Sequence, residues 1–184
     1  RNLAIGPNAY DASDTENDNI AIGYDAMTTN TAGGTKNIAI GNYALDAQTS
    51  GDTNVAIGYD AMTSNTTSSE NTAVGTQALY TNTTGATNVA VGMNALYSNN
   101  ASNNVAVGHG AMNANTTGAS NVAMGHSALV ANTTGASNVA VGRKSLEDNT
   151  TGSNNTALGY SALEDNNAGD NTAVGYKALE ANTT

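Results

Sequence analysis

The sequence predicts an all-β fold, a parallel β-solenoid with one 17-residue coil per repeat, and two observations predict it. First, the tripeptide Ala-apolar-Gly recurs eleven times along the 184 residues, at intervals of 16 to 18 residues. Second, every change of repeat length lies in one polar segment, at 30–36, 99–103 and 166–170. Loops tolerate such changes, whereas strands in register do not. Residues 1–184 are therefore predicted to form a single elongated array of eleven coils.

The repeat unit divides into strand and turn. It reads Asn-Val-Ala-Val-Gly-x-x-Ala-Leu-x-x-Asn-Thr-Thr-Gly-x-Ser, and residues 121–137 are a complete copy with Met for the second Val. Asn-Val-Ala-Val-Gly is predicted as the strand and Asn-Thr-Thr-Gly as the turn. The Ala-Leu stretch between them is predicted as a second strand, with a helical turn as the alternative. Helical repeats are longer, about 33 to 47 residues.

The predicted strand is apolar on both faces. Side chains alternate along a strand, so Val122 and Met124 point to one face and Asn121 and Ala123 to the other. The Ala face, together with the following Leu or Met, fits the thin interior of a coil. The Val and Ile face then fits a subunit interface, because an exposed apolar stripe of this size marks an interface. The opposite assignment of the two faces is also compatible with the pattern.

An Asn stands four residues before each repeated glycine. We interpret this column as structural, because Asn bonds nearby backbone at turns and stacked amides can bond one another in a ladder. The predicted ladder consists of Asn2, Asn19, Asn37, Asn54, Asn71, Asn88, Asn104, Asn121, Asn138, Asn155 and Asn171. Six Asn-Thr-Thr copies also read as glycosylation sequons, although turn chemistry explains them without a glycan. They begin at Asn65, Asn82, Asn115, Asn132, Asn149 and Asn182.

These repeats resemble a known family. Asn-Val-Ala-Ile-Gly at 54–58 and its ten relatives resemble the Asn-Ser-Val-Ala-Ile-Gly unit of trimeric autotransporter adhesin heads, the YadA-like head repeats. Asn-Thr-Ala-Val-Gly-Tyr at 171–176 is similar to repeats in phage tail-fibre-like proteins. The resemblance covers the whole chain, although the 17-residue period is longer than the family's usual unit. It implies a left-handed parallel β-roll that assembles as a homotrimer on a bacterial surface.

Composition excludes several classes of function. Five Lys or Arg residues against fifteen Asp or Glu give a net charge of −10, which argues against nucleic acid and anionic membranes as partners. No apolar stretch reaches the roughly 18 residues needed to span a bilayer, so no membrane insertion is predicted. No nucleophile motif or phosphate-binding glycine loop is found. The chain is therefore predicted not to be an enzyme and to need no cofactor.

The expected function is that of a structural or adhesive segment in an extracellular fibre. The expected location is the cell surface, with a virion fibre as the alternative, and the expected partners are copies of the chain and a host-surface or matrix ligand. Solenoids need atypical terminal caps, and neither end has an obvious one, so we expect a fragment of a longer fibre. A pure spacer in a phage tail fibre and an ice-binding solenoid are alternatives. Stacked threonines favour ice binding, but they lie in the turn whose length varies, which opposes it. These threonines are Thr83, Thr116, Thr133 and Thr150.

Four sets of side chains are candidate sites. His109 and His126 occupy equivalent positions in adjacent coils, but no Cys or third ligand accompanies them, so an exposed pair is favoured over a metal site. Two acidic groups are interpreted as solvated faces, because neither matches a known calcium loop. One group is Glu147, Asp148, Glu164 and Asp165, and the other is Asp11, Asp14, Glu16 and Asp18. The position after each glycine varies in residue type, so it is predicted to be exposed. The tyrosines at this position are predicted to form a contact surface, and the alternative is that they only cover the edge of the solenoid. They are Tyr24, Tyr59, Tyr160 and Tyr176.

Overall fold

The computed structural model describes residues 1–11, 18–30 and 32–182, and this part of the chain contains strands and turns but no helix. Each of the eleven repeats contributes one strand of three residues. The strands are β1 Leu3–Ile5, β2 Ile20–Ile22, β3 Ile38–Ile40, β4 Val55–Ile57, β5 Thr72–Val74, β6 Val89–Val91, β7 Val105–Val107, β8 Val122–Met124, β9 Val139–Val141, β10 Thr156–Leu158 and β11 Thr172–Val174.

The strands form one parallel sheet in chain order, β1 to β11. Register is constant, and the central Ala of each strand pairs with the central Ala of the next, as Ala56 does with Ala73. One strand per repeat, stacked in sequence, is the predicted parallel β-solenoid with about 17 residues per coil, which is thus confirmed. Ten steps between eleven strands, at about 4.8 Å each, correspond to a stack about 48 Å long.

The interior of the solenoid is thin and is built from Ala, Leu and Met. In the coil of β4, the strand residue Ala56 and the pair Ala61 and Met62 are all fully buried. The same three positions are buried in the coils of β2 to β10, except that Ser145 replaces one Ala. Of the two face assignments open at the sequence level, the structure therefore has Ala and Leu inside. The Val and Ile side chains face outward.

The stretch after each glycine corrects a sequence prediction, because it is neither a second strand nor a helical turn. Non-glycine residues alternate into the left-handed region, with φ of 55° at Asp60 and 52° at Met62. The N–H groups of the two left-handed residues point in opposite directions along the stack. The N–H of Asp60 donates to Asn42 O of the preceding coil at 3.0 Å, and the N–H of Met62 donates to Ala78 O of the following coil at 3.0 Å. The hydrogen bonds to both neighbouring coils offset the unfavourable φ values.

The glycine that ends each strand is required by conformation and by space. Gly58 has φ of +141°, and a Cβ placed there would lie 2.5 Å from Gly75 O of the next coil. No L side chain fits that approach. The glycines therefore fix the corner at which the strand ends, and the next residue is presented at the surface.

Candidate functional site

The outward face of the sheet is uncharged and mostly apolar, with Thr72, Thr156 and Thr172 as its polar members. Each strand contributes two outward side chains, and none of them in any of the eleven strands is charged. They are only partly covered by their neighbours within the chain: Ile57 is 37% exposed, Val91 36% and Met124 44%. Because the interior is already filled by Ala, Leu and Met, these side chains have no packing partner on their outer side within the described residues. We call this surface the outward sheet face.

A second surface runs beside it and consists of the residue that follows each repeated glycine. We call it the ridge. Its members are Pro7, Tyr24, Asn42, Tyr59, Thr76, Met93, His109, His126, Arg143, Tyr160 and Tyr176. All are exposed except Tyr160, which is half-buried. The backbone holds neighbouring coils in register here, since Gln77 N–H donates to Tyr59 O at 2.9 Å.

The candidate contact tyrosines fall into two separate groups on the ridge. Tyr24 is 41% exposed and Tyr59 is 50% exposed, and they lie two coils apart near one end of the array. Tyr160 and Tyr176 stack near the other end, with ring centroids 5.4 Å apart. Arg143 is the ridge residue of the coil before Tyr160, and its guanidinium lies over the Tyr160 ring, 5.7 Å from the centroid.

Sequence reasoning missed the tyrosine that joins the first group. Tyr43 lies between Tyr24 and Tyr59, with edge-to-face contacts of 5.5 Å and 5.9 Å between ring centroids. It stands two positions after its glycine rather than one, so a search down a single column does not find it. Partial burial is the main cause that raises the pKa of the Tyr43 hydroxyl, and the neighbouring Tyr24 and Asp25 raise it further. The three rings form one continuous aromatic cluster.

The two histidines are stacked on the ridge. The ring centroids of His109 and His126 are 5.1 Å apart and their planes differ by 12°. Ser127 Oγ lies 3.0 Å from Nδ1 of His126. Across residues 1–11, 18–30 and 32–182, no group of three or more His, Cys, Asp or Glu side chains is placed to hold a metal ion.

The acidic group of Glu147, Asp148, Glu164 and Asp165 is bridged by a lysine that the sequence analysis did not single out. Lys144 Nζ lies 2.8 Å from Glu147 Oε2 and 3.5 Å from Glu164 Oε1, and so pairs with carboxylates of two successive coils. The hydrogen bond that Lys144 donates to Glu147 raises the pKa of Lys144. Asp165 has no such partner in the described contacts, and partial burial together with the charge of Asp148 raises its pKa.

The N-terminal acidic group lies only partly within the described residues. Asp11 is exposed, and Asp18 pairs with Arg1, with 3.4 Å between Nε and Oδ1. Asp14 and Glu16 lie outside the described residues.

Two columns of Asn side chains line the solenoid, where sequence reasoning assigned only one as a ladder. In the assigned column, Asn121 N–H donates to Asn104 Oδ1 of the preceding coil at 2.9 Å. The ladder thus joins side chain to backbone, with direct amide-to-amide bonds in some coils only, such as Asn54 Nδ2 to Asn37 Oδ1 at 3.2 Å. The column is buried from Asn19 to Asn155, while Asn2 is exposed and Asn171 half-buried.

The second column contains the sequon asparagines, and Asn30, Gln48, Asn99 and Asn166 fill the same position in other coils. Asn132 Nδ2 donates to Asn115 Oδ1 at 2.7 Å and to Gly135 O at 3.0 Å. Asn65, Asn82, Asn115, Asn132 and Asn149 are all fully buried. In the folded chain the amide nitrogen that would carry a glycan is therefore inside the protein. The last sequon extends to residues 183–184, which lie outside the described residues.

The threonines that suggest ice binding use their hydroxyl groups within the protein. Thr116 Oγ1 donates to Thr133 O at 2.9 Å, and Thr133 Oγ1 donates to Thr150 O at 2.9 Å. Thr83 Oγ1 donates to Asn100 Oδ1 at 2.8 Å. A hydroxyl engaged in a bond between coils is less available to order water at the surface, so this geometry does not favour ice binding.

The described residues form no pocket, and they contain no helix long and apolar enough to cross a membrane. Comparison with protein-family models, with curated proteins and with solved structures finds no match to the chain. The surfaces themselves therefore carry the functional argument.

Proposed function

We propose that this chain is a structural and adhesive segment of an extracellular fibre, and that it assembles as a homotrimeric rod through the outward sheet face. The observation that carries the proposal is an uncharged sheet face, half-exposed along eleven strands, on a coil whose interior is already complete. Burying each such side chain is worth on the order of 1 kcal/mol, because apolar burial contributes about 25 cal/mol per Å². Summed over the stack, this favours association.

The repeat itself favours a second copy of the chain as the partner. The outward sheet face presents uncharged side chains at the same two positions of every strand, as in Val122 and Met124 followed by Val139 and Val141. A surface with the same spacing can match it at every coil, and another copy of this chain has that spacing. In an assembly with closed rotational symmetry, every copy of the chain makes the same contacts through this face. The number three is supported by the resemblance to trimeric adhesin heads.

A rod needs stiffness along its axis, and the hydrogen bonding supports that role. Each coil is bonded to both neighbours by its strand, by the turn after the glycine and by the two Asn columns. In repeat proteins of this kind stability is carried by contacts between adjacent units, so the stack is continuous from end to end. The ridge remains beside the sheet and offers the surface for adhesion.

The oligomeric state tests the proposal. Light scattering coupled to size exclusion is expected to give three chains of 18.4 kDa, about 55 kDa. The variant V91K/V122K places charges on the outward sheet face and is expected to dissociate the assembly. The matched variant T117K alters an exposed turn residue and is expected to stay trimeric. A folded 18.4 kDa species at all concentrations would refute the proposal.

A further inference from the structure

We propose that Met93, His109 and His126 form a surface site for a copper ion, which the proposed fibre role neither requires nor explains. The three residues are consecutive members of the ridge, one from each of three adjacent coils. Register in this region is fixed by the pairs Val91 with Val107 and Val107 with Met124. Gly110 N–H donates to Met93 O, and Ser127 N–H donates to His109 O, each at 3.0 Å. The three side chains thus start one sheet step apart, about 4.8 Å.

The donor set matches copper better than other metals. Two imidazoles suit Zn, Cu, Fe and Ni, whereas a thioether is a soft ligand that selects Cu(I). Among divalent ions of the first transition row, Cu²⁺ also binds nitrogen donors most strongly. The third donor is the thioether sulfur of Met93. This side chain is 46% exposed and belongs to the coil before His109.

The geometry allows the two rings to converge on one ion. The centroids of His109 and His126 are 5.1 Å apart. Two nitrogens bound to the same metal at about 2.0–2.1 Å lie about 3 Å from each other, so each ring has to rotate toward its partner. Both histidines are exposed, and this rotation displaces no buried group. Ser127 Oγ lies 3.0 Å from Nδ1 of His126. It can accept a hydrogen bond from Nδ1–H, which leaves Nε2 as the metal ligand, as outer partners of metal-bound histidines do.

The surroundings keep the pair open. The position beside each ridge residue carries a side chain in most coils, but beside His109 it is Gly110. A Cβ added at Gly110 would meet no heavy atom within 4 Å. On the other side, the guanidinium of Arg143 lies over the Tyr160 ring of the following coil at 5.7 Å, so it is engaged away from His126. The net charge of −10 favours a cation at the surface.

Copper titration tests the site. With Cu²⁺, electron paramagnetic resonance is expected to show one ion per chain with hyperfine coupling from two imidazole nitrogens. H109Q and H126Q are each expected to lose the second nitrogen and to weaken binding at least about tenfold, since the second ligand binds intramolecularly. With Cu⁺ under a reductant, competition against a colorimetric Cu⁺ chelator is expected to show weaker binding by M93L. T76Q, on the ridge one coil before Met93, is the matched control and is expected to bind as the parent does.

Each result decides the proposal. Circular dichroism of every variant establishes that the β-solenoid is retained, since all four substitutions are at exposed positions. Unchanged copper binding by the double variant H109Q/H126Q would overturn the site, as would a one-nitrogen spectrum in the parent chain. Equal Cu⁺ affinity of M93L and the parent would remove Met93 as a ligand and overturn the three-residue site. Because these measurements do not depend on the number of chains, their failure is distinct from failure of the trimer.

Discussion

Asn121 and Asn132 donate from their side-chain amides to the same carbonyl oxygen, that of Gly135, at 2.9 Å and 3.0 Å. The two residues belong to different columns, so this one oxygen joins the residue before strand β8 to the turn of the same coil. Both amides are fully buried. Similar convergence recurs along the stack, as when Asn71 and Asn82 both donate to Gly85 O.

N121A is expected to destabilise the fold more than its small size suggests. Removing the amide leaves the N–H of Asn138 without its 2.9 Å acceptor and removes one donor from Gly135 O. A buried polar group left without a partner costs about 1–3 kcal/mol, so a loss of roughly 2–4 kcal/mol is expected. Denaturant unfolding followed by circular dichroism measures it. T117A, at an exposed turn position, is the control and is expected to change stability by less than about 0.5 kcal/mol. Equal stability of the two variants would contradict the structural role of the column.

Two glycine substitutions are expected to differ sharply. Gly125 has φ of +143°, and a Cβ there would lie 2.5 Å from Gly142 O, whereas Gly110 has φ of +64° and open space around it. G125A is expected to cost at least about 3 kcal/mol or to prevent folding, because backbone has to move. G110A is expected to cost about 1–2 kcal/mol, the usual penalty for an L residue in the left-handed region, since Ser127 occupies the same position with φ of 56°. Comparison of their midpoints in denaturant measures the difference, and similar midpoints would be inconsistent with the tight corner.

The sequence was sufficient to predict the coil, its strand and its interior. The evenly spaced glycines and alanines mark positions where space alone decides the residue, so the pattern of residues shows the geometry directly. Length changes were also interpretable, and the structure shows why they are tolerated. In the short coil, Asn100 Oδ1 accepts from Thr83 N–H at 2.8 Å. In a full-length coil a backbone carbonyl does this, as Thr133 O accepts from Thr116 N–H at 3.0 Å.

The stretch after the glycine could not be predicted, because its conformation opposes local preference. Leu and Met favour negative φ, yet Leu129 has φ of 54°. Its N–H donates to Ser145 O of the next coil at 2.9 Å, so stacking rather than intrinsic preference selects the conformation. Tyr43 and Lys144 were missed for the same reason, since their contacts depend on how this stretch directs the second residue after each glycine.

Asp165, in the acidic group with Asp148, is expected to make the stability of the fold depend on pH. Its pKa is raised in the folded chain by partial burial and by Asp148, so the folded state binds this proton more tightly than the unfolded state does. This contribution therefore disfavours folding above the raised pKa, and the penalty disappears as pH falls below 3.8, the ordinary pKa of an Asp side chain. D165N is expected to raise the melting temperature at pH 7 and to leave it unchanged at pH 3. Added salt is expected to reduce the gain, because the group is exposed. A gain that is equal at both pH values would exclude this cause.

Adhesion is expected to depend on the ridge tyrosines. Replacing Tyr24, Tyr59, Tyr160 and Tyr176 with Ser removes rings from both aromatic groups while leaving the Ala and Leu interior and the two Asn columns untouched. The fold is therefore expected to persist, and attachment to the natural surface is expected to weaken, because tyrosine contributes large contact area at low conformational cost. Cell or surface binding of the fluorescently labelled fibre measures it, with circular dichroism as the check on folding. The matched control replaces Tyr80 and Tyr97, which stack at 5.0 Å outside the ridge. If the ridge variant adheres as the parent does, the tyrosines only cover the solenoid edge and the rod acts as a spacer that positions another domain.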